Sequence, residues 1–109
     1  RYETTIAILE GALAEKHTTS RIYLLFGKCY RIKKEFDAAE KALKLAENLN
    51  SAKDPEIHWE LAKLYGNNLK RFGEAAEQLE LFLKLQPKAK DKQQIRKLIR
   101  NFKAKSKKK

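Results

Sequence analysis

Apolar residues recur at three- and four-residue steps along most of the chain, as in Ile57, Leu61, Leu64 and Tyr65, or Phe72, Ala75, Leu79, Phe82 and Leu83. That period is helical, and no alternating strand pattern interrupts it. Asp54-Pro55 is a start signal, with Pro at or near a first helical turn, and Pro87 stops the helix that begins near Phe72. Beta-branched residues are few. The pattern predicts an all-α chain of antiparallel helix hairpins.

The helices repeat. Three segments open on an aromatic and place a Leu seven residues later: Tyr2 with Leu9, Phe36 with Leu43, and Phe72 with Leu79. The aromatic-to-aromatic offsets are 34 and 36 residues. Two further segments match each other at an offset of 35: Tyr23-x-x-Phe26-Gly27-x-x-Tyr30 and His58-x-x-Leu61-Ala62-x-x-Tyr65. A period of this length marks a repeat architecture, in which no hairpin buries its apolar face alone and neighbours must stack.

In combination these residues resemble the tetratricopeptide repeat. The first full repeat, residues 20–53, carries Tyr23, Phe26, Gly27, Tyr30, Phe36, Ala39, Leu43 and Ala46 at the family's spacing. The second, residues 54–87, carries Leu61, Ala62, Tyr65, Phe72, Ala75, Leu79 and Pro87. Residues 1–19 resemble the second helix of a preceding repeat. The resemblance implies a right-handed α-solenoid of about six helices forming a single domain over residues 1–102. In it, Gly27/Ala39 and Ala62/Ala75 mark close helix crossings, and Tyr30, Phe36, Tyr65 and Phe72 fill the wedges between hairpins.

Three features depart from the family pattern. Six residues separate Tyr65 from Phe72, where five separate Tyr30 from Phe36, and the extra one falls at Gly66-Asn67-Asn68. These types tolerate turn geometry. The family's Trp position is ambiguous: counting from Leu61 and Tyr65 selects His58 and leaves Trp59 facing a groove, whereas counting back from Pro87 selects Trp59. The first reading is the one adopted. Phe82 stands where a small residue is expected, which points to packing against a sixth, capping helix over residues 88–102. Its stripe of Ile95, Leu98, Ile99 and Phe102 is spaced for one apolar face, and Phe82 against it would contribute on the order of 2 kcal/mol.

Composition changes the picture mainly through charge. Residues 1–87 hold 14 Lys/Arg against 13 Asp/Glu, whereas residues 88–109 hold 11 Lys/Arg and a single acid, Asp91. Nearly all of the net charge of +11 therefore sits in the last fifth of the chain. The end, residues 103–109, reads as a flexible basic tail whose only sharper role is nonspecific attachment to nucleic acid or an anionic membrane. No apolar run is long enough to span a bilayer. The chain starts at Arg1 rather than Met, the look of an excised piece, and a cytoplasmic setting is expected.

Candidate chemistry is sparse. The four glycines are scattered, so no phosphate loop forms. The two histidines, His17 and His58, lack further ligands at metal spacing, and a Cys29–His58 pair lacks a third orienting group. No catalytic residue, cofactor or metal is expected. A lone Cys29 excludes an internal disulfide and reads as a small buried hydrophobe.

The resemblance instead implies a protein- or peptide-binding adaptor, with the first helix of each hairpin lining a concave groove. By position the groove residues would be Arg21, Leu24, Leu25, Lys28 and Arg31 from the first repeat, and Glu56, Trp59, Glu60 and Lys63 from the second. Lys28 and Lys63 stand where carboxylate-clamping members of the family carry Asn, so a chaperone-tail clamp is not expected. The groove would suit an extended or helical segment with apolar anchors and some acidic residues. Self-association is the remaining alternative.

Overall fold

In the computed structural model, which describes residues 2–14, 20–49 and 54–107, the helical periodicity becomes six α-helices, with no strand among those residues. They are α1 (Tyr2–Ala14), α2 (Ser20–Ile32), α3 (Phe36–Leu49), α4 (Pro55–Lys63), α5 (Phe72–Leu85) and α6 (Lys92–Ser106), with a π-helical turn at Leu64–Asn68. His17, expected at a helix end, lies outside the described residues. Where the sequence predicts one domain over residues 1–102, backbone proximity divides the chain into two compact units, Arg1–Ala52 and Lys53–Lys109. The boundary falls at the junction of the two repeats.

In the first unit, α2 and α3 form a hairpin against which α1 packs. Ile6, Phe26, Cys29 and Ala42 make one buried cluster, flanked by Ile22, Tyr23 and Tyr30. Phe26 and Tyr30, one turn apart on α2, stack with ring centroids at 5.9 Å. The close crossing is at Gly27: a Cβ there would lie 2.4 Å from a methyl of Leu43. The small residue of α2 thus accommodates a large one of α3 rather than Ala39. Burial pushes the Cys29 thiol up from its ordinary pKa. Native protein at neutral pH should therefore react with an aromatic disulfide reagent far more slowly than protein unfolded in denaturant, and equal rates would show Cys29 to be open.

The second unit is α4, the π turn, α5 and α6. Asp54 caps α4, its side chain accepting from the Glu56 N–H at 3.0 Å, with Pro55 in the first turn. Ile57, Leu61, Leu64 and Tyr65 are fully buried, as are Ala75 and, nearly so, Ala76 and Leu79 across the hairpin. His58 is also fully buried, and its Nδ1 donates to Gln78 Oε1 at 2.7 Å. A buried imidazole is tolerable because it is paired.

The two inter-helix turns show how one extra residue is absorbed. After α2, Glu35 N–H bonds to the Tyr30 carbonyl at 2.8 Å, Lys34 N–H bonds to that of Arg31, and Lys34 has φ 68°. This is the Schellman arrangement with a left-handed residue just past the helix. After α4, the equivalent closing bond runs from Arg71 N–H to the Tyr65 carbonyl, again 2.8 Å, and Lys70 has φ 58°. The ring is one residue larger, and the surplus is taken up by the π turn, where Leu69 N–H reaches the Leu64 carbonyl. Both turns hold a lysine in a conformation that suits glycine. Lys34→Gly and Lys70→Gly should each stabilise their unit by about 0.5–1 kcal/mol, read from denaturant midpoints; destabilisation by either would show that the lysine side chain outweighs the backbone strain.

Residues 103–106 are helical where their composition predicts a tail. Residues 86–91 wind through turns closed by Ala89 N–H to Gln86 and Lys92 N–H to Ala89, so α6 begins at Lys92 rather than Lys88. It then runs to Ser106, four residues beyond the expected end at Phe102. Lys103 pairs with Glu80 at 2.8 Å, Lys105 lies over the Phe72 ring at 5.3 Å, and Ser106 Oγ donates to the Lys103 carbonyl. Residues 103–106 are thus the last turn of a packed helix, not a flexible tail. Basic residues at that end also complement the helix dipole.

Three members of the α6 stripe are buried: Ile95, Ile99 and Phe102; Leu98 is exposed, at 38%. Phe102 stacks on Phe72 at 5.9 Å, and a Cβ on Gly66 would lie 2.5 Å from its Cζ. The capping helix is therefore seated on the π turn. Phe82, expected to meet the α6 stripe, is half-buried and tilts against Trp59 at 5.2 Å.

Candidate functional site

Groove candidates from the first repeat lie on α2, and helix geometry sorts them. Arg21, Leu25 and Lys28 follow steps of four and three, which places them on one stripe. Arg21 is exposed, Leu25 is 40% exposed and Lys28 is partly exposed. The stripe continues to Ile32, 46% exposed, a residue that sequence reasoning missed. Leu24 does not belong to it. That side chain shares its face with Gly27, one turn on, and is fully buried. Arg31, on the same side as Leu24, is half-buried.

On α4 the candidates divide in the same way. Glu60 lies between Ile57 and Leu64 on the buried face and is 5% exposed, its carboxylate 3.1 Å from Lys63 Nζ. Glu56, Trp59 and Lys63 are partly exposed. Burial thus falls on His58 and leaves Trp59 at the surface. Trp59 stands between two clefts. One, of about 370 Å³, is walled by Pro55, Glu56, Phe82, Gln86, Lys90 and Ile95. The other, of about 180 Å³, is lined by Ala62, Lys63, Asn67, Leu98 and Phe102. Sequence reasoning missed the walls supplied by Phe82 and α6. The signal was present in Leu98, whose place on the stripe was read as core.

No group of three or more His, Cys, Asp or Glu among the described residues is arranged to hold a metal ion. His58 is engaged with Gln78, and Cys29 sits within the apolar cluster of its own unit. No described helix is long and apolar enough to cross a membrane.

A family model described as Tetratricopeptide repeat matches residues 20–53 and 55–89, more than half of the chain. The chain belongs to the tetratricopeptide repeat family. The two matches coincide with the α2–α3 hairpin and with α4, the π turn and α5. TPR repeats generally mediate protein–protein interaction, and the family is typically non-catalytic. No curated protein and no solved structure matches the chain.

Proposed function

We propose that this TPR chain is a non-catalytic adaptor, each of whose two units offers a protein segment the exposed stripe of its own first helix, α2 in the first and α4 in the second. The observation that carries this reading is the surface stripe on each first helix: Arg21, Leu25 and Lys28 on α2, and Glu56, Trp59 and Lys63 on α4. Each mixes a partly exposed apolar side chain with a cation. A segment with spaced apolar anchors and acidic residues is complementary to that mixture. Large aromatic side chains such as Trp59 supply contact area at little conformational cost, which is why they anchor interfaces.

Charge reversal tests it. Peptides selected by display against the full chain should bind Lys28→Glu/Lys63→Glu at least about tenfold more weakly, equivalent to about 1.4 kcal/mol. Far-UV circular dichroism checks the fold, because Lys63 also pairs with the buried Glu60 carboxylate; Lys28→Glu/Lys63→Gln, which leaves that carboxylate a neutral donor, should weaken binding in the same direction. Undiminished binding by a folded double variant removes both stripes as binding surfaces.

A further inference from the structure

Helix α6 does more than close the second unit. It contains no acidic residue, and residues 88–107 hold nine Lys/Arg against Asp91 alone. At about 100° per residue, Lys92, Arg96, Arg100, Lys103 and Lys107 fall within an arc of about 80°. Ile95, Ile99 and Phe102, the buried stripe, lie roughly a quarter-turn away. Arg96, Arg100, Lys103 and Lys107 are exposed, and Lys97 extends the basic surface on its outer side. Glu77 and Glu80 of α5 face Lys92 and Arg96 across a cleft, and Glu80 pairs with Lys103. Two carboxylates do not neutralise this row.

We propose that the exposed side of α6 is an electrostatic docking face for an anionic lipid surface. The row is straight and spans about 22 Å from Lys92 to Lys107, at 1.5 Å per residue. A planar array of headgroups can meet Lys92, Arg96, Arg100 and Lys107 together, with Lys103 shared with Glu80. A DNA strand makes a full turn in about 34–36 Å, so over the same length it swings through most of a turn and leaves a straight row. Stacking on bases is also missing, because the α6 aromatic, Phe102, is buried against Phe72 and Gly66. The apolar side of α6 is committed to the fold, so attachment is peripheral, set by charge and weakened by salt.

Co-sedimentation of the full chain with vesicles tests this. Binding is expected to vesicles of about 30 mol % phosphatidylserine in phosphatidylcholine but not to pure phosphatidylcholine, and to be lost as salt rises from about 0.05 to 0.5 M. Arg96→Glu/Arg100→Glu should lower the bound fraction at least about tenfold. Lys34→Glu/Lys41→Glu, the same change in net charge confined to the first unit, should retain most of it, with both variants checked for helicity. Three results would overturn the proposal: no binding of the parent chain to anionic vesicles, equal losses in the two folded variants, or tighter binding to a short DNA duplex or an acidic peptide at the same salt.

Discussion

Phe102→Ala should destabilise the second unit by about 3–5 kcal/mol, the range for removing a buried aromatic side chain. The ring is 6% exposed, stacks on Phe72 and fills the space above Gly66. Its loss strips α6 of its principal contact with the π turn and leaves Ile95 and Ile99 to hold the helix. Trp59, the single tryptophan of the chain, lies in this unit, so its emission during denaturant unfolding reports the loss directly. A double-mutant cycle isolates the seat. Gly66→Ala alone should cost about 1–3 kcal/mol, because the new methyl lands on the phenyl ring. With Phe102→Ala in place that cost should fall to zero or reverse, since alanine is the better helix former. An equal cost in both backgrounds would place Phe102 elsewhere.

Leu43→Ala is the counterpart in the first unit, expected to cost about 2–5 kcal/mol for a fully buried leucine. Gly27→Leu approaches the same contact from the other side. Its side chain would have to displace Leu43, at about 1–3 kcal/mol through overpacking. The two changes should not be additive, because each alters the space the other depends on. Amide exchange of α2 and α3 measures both. A neutral Gly27→Leu would show that the crossing is loose and that the repeat pattern overstates the proximity of the helices.

What the sequence made legible was whatever the helical period and the repeat spacing carry. Phe36, Phe72 and Pro55 mark helix starts, and Gly27 marks the tight crossing. The offset between the two turns marked where regular geometry would break. It could not say how, because a surplus residue can bulge outward or be wound into the helix with equal composition; the π turn is a property of the bond from Leu69 N–H to the Leu64 carbonyl. The end of the chain misled for a different reason. Lysine-rich composition reads as solvated tail, yet Lys103 and Lys105 find Glu80 and Phe72, partners more than twenty residues away in the chain. For the candidate site, residue type pointed to Lys28, Trp59 and Lys63, but exposure depends on helix phase. One position separates Leu24, fully buried, from Leu25, 40% exposed.

Trp59 emission offers the most direct measurement of the binding role, since no other residue contributes tryptophan signal. Titrating the full chain with a display-selected peptide should shift or quench that emission saturably, with a midpoint equal to the dissociation constant measured independently by calorimetry. Saturable binding by calorimetry with Trp59 emission unchanged would contradict a partner site on α4.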